Sequence, residues 1–169
     1  YRVFIRLGYR RKAESTKKKS KHNGHYDTPK ELGKKWQMDV KYVPSACYAG
    51  EDGEKFYQYT MLEEASRKRF IYAYRETGGY STCDFVKRAI IWFGYAPDII
   101  QTDNGGEFTH TKKTKRIHPF DSLCAELHIT HKLIRPRTPW HNGKVERSHR
   151  NDQERFYNHL SFYSYEDLQ

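Results

Sequence analysis

The chain has 169 residues, 36% of them hydrophobic and 15% aromatic, which suffices for one domain with a core and a short extension. Its net charge of +10 is unevenly placed: residues 1–35 carry twelve Lys/Arg against three Asp/Glu, whereas residues 36–169 carry nineteen against eighteen. This excludes a uniformly basic protein and describes a cationic arm on a nearly neutral body, a pattern that points to a polyanionic partner, with nucleic acid the first candidate. The three cysteines (Cys47, Cys83, Cys124) are too few and too scattered for a disulfide framework, which fits a reducing, cytoplasmic setting. No apolar run is long enough to span a bilayer, so no membrane partner is expected.

In chain order, "YRVFIRLGYRR" has Val3, Phe4 and Leu7 at helical spacing before Gly8. It reads as the tail of an upstream helix, and the chain, which starts at Tyr1, as a piece of a longer protein. The polar, basic segment that follows has linker composition, so residues 1–31 are assigned to a basic linker and residues 32–169 to the body. "KWQMDVKYVP" (35–44) alternates as a strand, and "FYQYTMLEEASRKRFIYAYRE" supplies two more with a break near Glu63–Arg67. "STCDFVKRAIIWFGY" (81–95) predicts a helix with Ser81 or Thr82 as N-cap, ended by Gly94 and Pro97. A buried strand is expected at 98–103, a helix at 120–129, a strand at 130–136 and a longer helix from Asn142 to Leu160. Three antiparallel strands followed by alternating helices and strands make an α/β fold with a mixed five-stranded sheet flanked by helices.

Three carboxylates stand out. Asp39 sits in the middle of the first strand, where Asp is disfavoured unless it has a task. Asp103 ends the fourth strand and opens "DNGGEF", at the kind of strand end where open α/β sheets bind ligands. Glu146 lies on the last helix among Lys144, Arg147 and Arg150. Each has an ordinary alternative: an outward-facing strand residue, a turn, and an ion pair of Glu146 with Arg150.

Taken together, "KWQMDVKYVP", "IIQTDNGGEFT" and "RPRTPWHNGKVERSHR" resemble the DDE superfamily of retroviral integrases and bacterial insertion-sequence transposases. The likeness covers roughly residues 32–169. It implies an RNase H-like core, with Asp39, Asp103 and Glu146 as catalytic metal ligands for two Mg²⁺ or Mn²⁺ ions, Asp39 bridging both. Two such ions about 3.5–4 Å apart stabilise the attacking and leaving oxygens of an in-line phosphodiester displacement. The implied activity is cleavage at element ends and transfer of the 3′-hydroxyl into target DNA, on a homo-oligomer assembled on that DNA. The arm then fits the remainder of an upstream helix-turn-helix domain.

Asn104, Asn142, Lys144, Arg147 and Arg150 are the expected DNA contacts, the bases holding phosphates beside the acids. Trp140 is either a packed anchor or a stacking platform for an unpaired base. His149 is expected to pack or to hydrogen-bond a phosphate. The interval from Asp103 to Glu146, 43 positions, exceeds the family's usual one; the surplus lies in the basic stretch 109–120, and position 153 is Gln where relatives often carry a base. His118, Cys124, His128 and His131 match no familiar zinc spacing. Two other functions stay open: an RNase H-like nuclease without strand transfer, and an inactive DNA-binding relic.

Overall fold

A computed structural model describes residues 28–50, 53–135 and 139–169, without the side chains of Pro139 and Trp140. The expectations for the arm and for the Trp140 ring lie outside the described residues. Strands β1 (Trp36–Tyr42), β2 (Tyr57–Glu63), β3 (Arg69–Tyr74), β4 (Ile99–Thr102) and β5 (Thr130–Leu133) form one sheet in the order β3-β2-β1-β4-β5. β1 pairs antiparallel with β2 along its whole length and β2 with β3, whereas β1–β4 and β4–β5 are parallel. The fold is therefore the expected mixed α/β sheet. The β1–β4 ladder is short, with Trp36 opposite Ile100 and Gln37 opposite Gln101, so Asp39 and Asp103 both lie past its end.

Strand alternation gives the sheet two unlike faces. Trp36, Met38, Tyr59, Met61 and Ile100 point to one side and are fully buried against Phe85, Val86 and Ala89 of helix α1 (Gly79–Phe93) and Phe120 of helix α2 (Pro119–Glu126). The intervening residues Gln37, Asp39, Lys41, Gln58 and Thr60 point the other way, toward helix α3 (Gly143–Arg155). A sheet face so polar must be satisfied by specific partners rather than by packing alone. A second, smaller core of Val43, Cys47, Phe56, Tyr157 and Phe162 straps the C-terminal segment onto the far end of β1, with Tyr48 bridged to Phe162.

Helix ends differ from the expectations in instructive ways. α1 starts two residues early, capped by Gly78 rather than by Ser81 or Thr82. Those hydroxyl residues are buried, and Thr82 Oγ1 donates instead to the carbonyl of Glu107 (3.0 Å). Gly94 ends the helix as expected, at φ 79°, its N–H reaching the Ile90 carbonyl at 2.9 Å. α2 begins with Pro119 behind a His118 cap and stops at Glu126, three residues before the expected end, because His128 takes the left-handed conformation (φ 56°) that turns the chain into β5. α3 ends at Arg155, not Leu160, as Tyr157 turns inward and donates to Gln58 Oε1 (2.5 Å). A further turn of helix, α4 (Tyr165–Leu168), capped by Ser164, has no counterpart among the expected elements. Among the described residues no helix is long and apolar enough to cross a membrane.

Candidate functional site

β1, β4 and α3 converge beyond the end of the short parallel ladder, and each delivers one acid. Asp39 leaves the α3-facing side of β1 opposite Thr60 of β2. One of its oxygens accepts the Val40 N–H (3.0 Å). Asp103 follows β4, and its Oδ1 accepts the Gly105 N–H at 2.9 Å, fixing the turn of "DNGG". Glu146 projects from the first turn of α3, exposed, where the helix dipole favours a negative charge.

The electrostatics tie the three together. Burial pushes the Asp39 carboxyl up to about 7, and the negative charges of Asp103, Glu146 and Glu107 add to it. Glu146, though exposed as a residue, is raised by partial desolvation of its carboxyl and by Asp103, and Glu107 is raised by burial and by Asp103. Among the described residues no lysine or arginine forms an ion pair with Asp39, Asp103 or Glu146, so the alternative reading of Glu146 as an ion pair with Arg150 is not met. The acids thus oppose one another without a counter-charge. Nor do three or more His, Cys, Asp or Glu among the described residues stand close enough together to hold a metal ion as they are placed.

His149 closes the floor of the site. Its Nε2 lies 3.0 Å from Thr60 Oγ1 and its Nδ1 3.4 Å from Asp39 Oδ2. Burial, then the Lys41 charge, lowers its pKa to about 4, so at neutral pH this is a contact of a neutral imidazole and not an ion pair. Ser148 is buried and donates to the Val145 carbonyl (2.7 Å), which removes it as a nucleophile.

What holds α3 over the sheet is a set of residues that the sequence reading missed. Gln37 and Gln101, partners in the parallel ladder, both donate to the carbonyl of His141, at 3.1 and 2.7 Å. Gln37 Oε1 accepts the Val145 N–H (3.2 Å), one of the unpaired donors at a helix start, and Gln37 Nε2 also donates to Glu64 Oε1 (2.8 Å). Glu64, fully buried, is neutralised by Lys35 (3.2 Å) and Lys144 (2.5 Å). The available signal was the alternation of β1: Gln37 shares a face with Asp39 and therefore had to meet whatever carried Glu146.

The expected DNA contacts separate into groups. Arg150 is exposed, one turn after Glu146, as anticipated, and Asn104 is exposed with its amide donating to the Ile134 carbonyl (3.1 Å). Asn142 requires a correction. It is 1% exposed, with its amide donating to the Met38 carbonyl at 3.2 Å, because the residue before the helix is pressed onto β1; in this arrangement it cannot touch DNA. Lys144 and Arg147 project from α3 on a different stripe from Glu146 and line a cleft toward the β2–β3 turn. His118 and His131 are engaged separately, His131 between Asp121 (2.6 Å) and Thr102 (2.9 Å), His118 on the Phe120 N–H and the Gly106 carbonyl.

Two family models, both described as integrase core domain, match residues 29–139 and 127–169. The chain belongs to the integrase core domain family. It sits in the superfamily of retroviral-type integrases and DDE transposases, with the RNase H-like fold of that group. The integrase core is 32% identical over 144 residues to a provisionally named integrase, ORF3 of Spiroplasma virus SpV1-C74, an alignment that takes in 78% of this chain and 38% of the relative. The chain thus spans well under half the length of that protein. Among solved structures, a simian T-cell lymphotropic virus intasome in complex with the PP2A regulatory subunit B56 gamma aligns with a TM-score of 0.67 at 21% identity, over 80% of this chain and 44% of that one. The HTLV-2 integrase catalytic core domain in complex with magnesium aligns at 0.55 and 21%, over 73% and 69%. The BIV integrase catalytic core domain aligns at 0.52 and 24%, over 73% and 68%.

Proposed function

We propose that residues 32–169 are a catalytic core that cleaves phosphodiesters at the ends of a DNA element and transfers the resulting 3′-hydroxyl into target DNA. The observation that carries this reading is the set of uncompensated carboxylates, Asp39, Asp103 and Glu146, brought by three different elements to one strand-end crevice of an integrase core. Burial and the neighbouring negative charges raise the Asp39 carboxyl to about 7, and a divalent cation bound among the acids would offset both. The donor set, all carboxylate oxygen and no thiolate, fits a hard ion such as Mg²⁺ or Mn²⁺. The acids as placed are not a finished cage, and they would have to draw together around the ions.

Asp39, Asp103 and Glu146 would hold two divalent ions per site, whose charge stabilises the oxygens that gain charge in the displacement. The protein's own contributions are orientation and charge. His149 and the Val40 N–H fix the rotamer of Asp39. The two glutamines set the height of the start of α3, and so of Glu146, above the sheet. Arg150 supplies a guanidinium for a phosphate on the same side of α3 as Glu146. The attacking oxygen belongs to water for cleavage and to the DNA 3′-hydroxyl for joining, so no side-chain nucleophile is needed. Two ends joined in one event require two such sites, hence a homo-oligomer on DNA. We assign the basic segment 1–31 to a linker behind an upstream DNA-binding domain.

The test uses a labelled element-end oligonucleotide and a supercoiled plasmid with Mg²⁺ or Mn²⁺. Joined product supports a transposase or integrase; shortened oligonucleotide without joining selects the nuclease; neither product selects the inactive relic. Full activity in Asp39→Asn and Glu146→Gln would sink the assignment of the acids.

A further inference from the structure

On the side of α3 that Glu146 does not occupy, a cleft of about 720 Å³ runs between the helix and the β2–β3 turn. Among the described residues, the lysines and arginines that line it are Arg67, Arg69, Lys144 and Arg147, with no Asp or Glu. Two of these are anchored. Arg69 makes a two-pronged pair with Asp152 (2.9 and 2.8 Å), and Lys144 is held by Glu64 and by Thr28 Oγ1 (2.9 Å). The other two are exposed and form no ion pair with a described residue. Arg67 stands in the left-handed conformation (φ 65°), uncommon for a residue with a long side chain, in a turn closed by its N–H on the Glu63 carbonyl (2.9 Å). Arg147 faces the cleft from the helix, one turn before the amide of Asn151.

We propose that this cleft is a second DNA-backbone site, which grips phosphates a few nucleotides away from the one at the acids; the proposal rests on the function given above. Paired guanidinium forks with an amide beside them suit phosphodiester oxygens. An extended polyanion is favoured over a small phosphate by the positive charge that precedes Thr28 in the sequence. The basic arm, with Lys17, Lys18, Lys19 and Lys21, joins the described chain at Thr28, whose hydroxyl sits on the cleft-lining Lys144. The separation also fits. A helix is roughly 10–12 Å across with its side chains, which is about three nucleotides at ~3.4 Å rise per strand. α3 thus offers Glu146 and Arg150 to one stretch of backbone and Arg147 with Arg67 to the next.

The experiment is fluorescence anisotropy of the full chain on a labelled duplex in EDTA, titrated with salt, for wild type, Arg67→Gln/Arg147→Gln and Lys87→Ala/Arg88→Ala. The last removes two charges from α1, on the opposite face of the sheet. The expected result is a loss of roughly 0.9 per phosphate contact from the logarithmic salt slope, about 1.8 in all. This loss should be confined to the cleft variant, with its melting temperature unchanged. Arg67→Lys/Arg147→Lys, which keeps the charge, should hold the wild-type slope and guards against misfolding of the glutamine variant. An unchanged slope in the cleft variant, or an equal loss in the α1 variant, overturns the proposal. Because these readings need no catalysis, they are separate from the acid substitutions: an active Asp39→Asn removes the metal-site reading and leaves the cleft result standing.

Discussion

Asp39 and Asp152 are both largely buried aspartates at the contact between α3 and the sheet, and they are treated in opposite ways. Burial would raise Asp152, yet the Arg69 guanidinium and the Gln58 amide hold it below the usual carboxylate range. Asp39 has no such cation and is pushed up to about 7. One acid stabilises the fold; the other is kept charged only at a cost. On the proposed function the bound ions offset that cost, so the difference sets Asp152 apart as structural and Asp39 as part of the site.

The largest effect that sharpens this contrast is on chemistry. Asp39→Asn should lower end cleavage at least about 100-fold, roughly 2.7 kcal/mol of barrier, whereas Asp152→Asn should keep most of the activity at a temperature where it is folded; parallel time courses on labelled DNA check this. Next comes stability. Asp152→Ala strands Arg69 against the sheet and should cost about 2–3 kcal/mol in urea unfolding, less than a fully buried pair because Arg69 is partly exposed. The Asp152 carboxyl is depressed, so its contribution is present above its unfolded value near 4 and lost as pH falls below it. The gap between wild type and variant should therefore close in acid.

Asp39 has the reverse sign. Its folded value lies above its unfolded one, so it is harmless below about pH 4, and its cost grows as pH rises to about 7 and is constant beyond. Asp39→Asn in EDTA should accordingly raise stability by about 1–2 kcal/mol at pH 8, a part of what the full shift would allow, and by nothing at pH 4. Thermal melts at the two values decide it, and a destabilised variant at pH 8 would break the contrast between the two aspartates. The smallest effect is Gln101→Leu, which removes one of the two donors to the His141 carbonyl and should cost about 1 kcal/mol.

The sequence of elements and the mixed sheet were legible because they rest on alternation and helical spacing, both local, and the three acids were singled out on motif order. The binary pattern of "WQMDVKY" already separates an apolar face from a polar one, and Asp103 with its glycines announces a strand end. Asn142 was misplaced because nothing local distinguishes a polar residue at a helix start that faces solvent from one pressed onto a neighbouring strand. Arg67 was passed over for a similar reason: its partner in the cleft, Arg147, is 80 positions away. The early end of α3 follows from Tyr157 meeting Gln58, a contact between segments about a hundred residues apart.

The two glutamines on the His141 carbonyl leave the same face of the sheet at the same height, since they are register partners. Both amides converge on one carbonyl oxygen, so together they pin a single point at the entry of α3, while the Asp152–Arg69 pair holds the helix further along. Two fixed points on one helix define its direction, and either alone would leave only a pivot. A graft of this helix onto a relative's sheet would therefore keep its pointing only where partners stand beneath both its entry and its later turns.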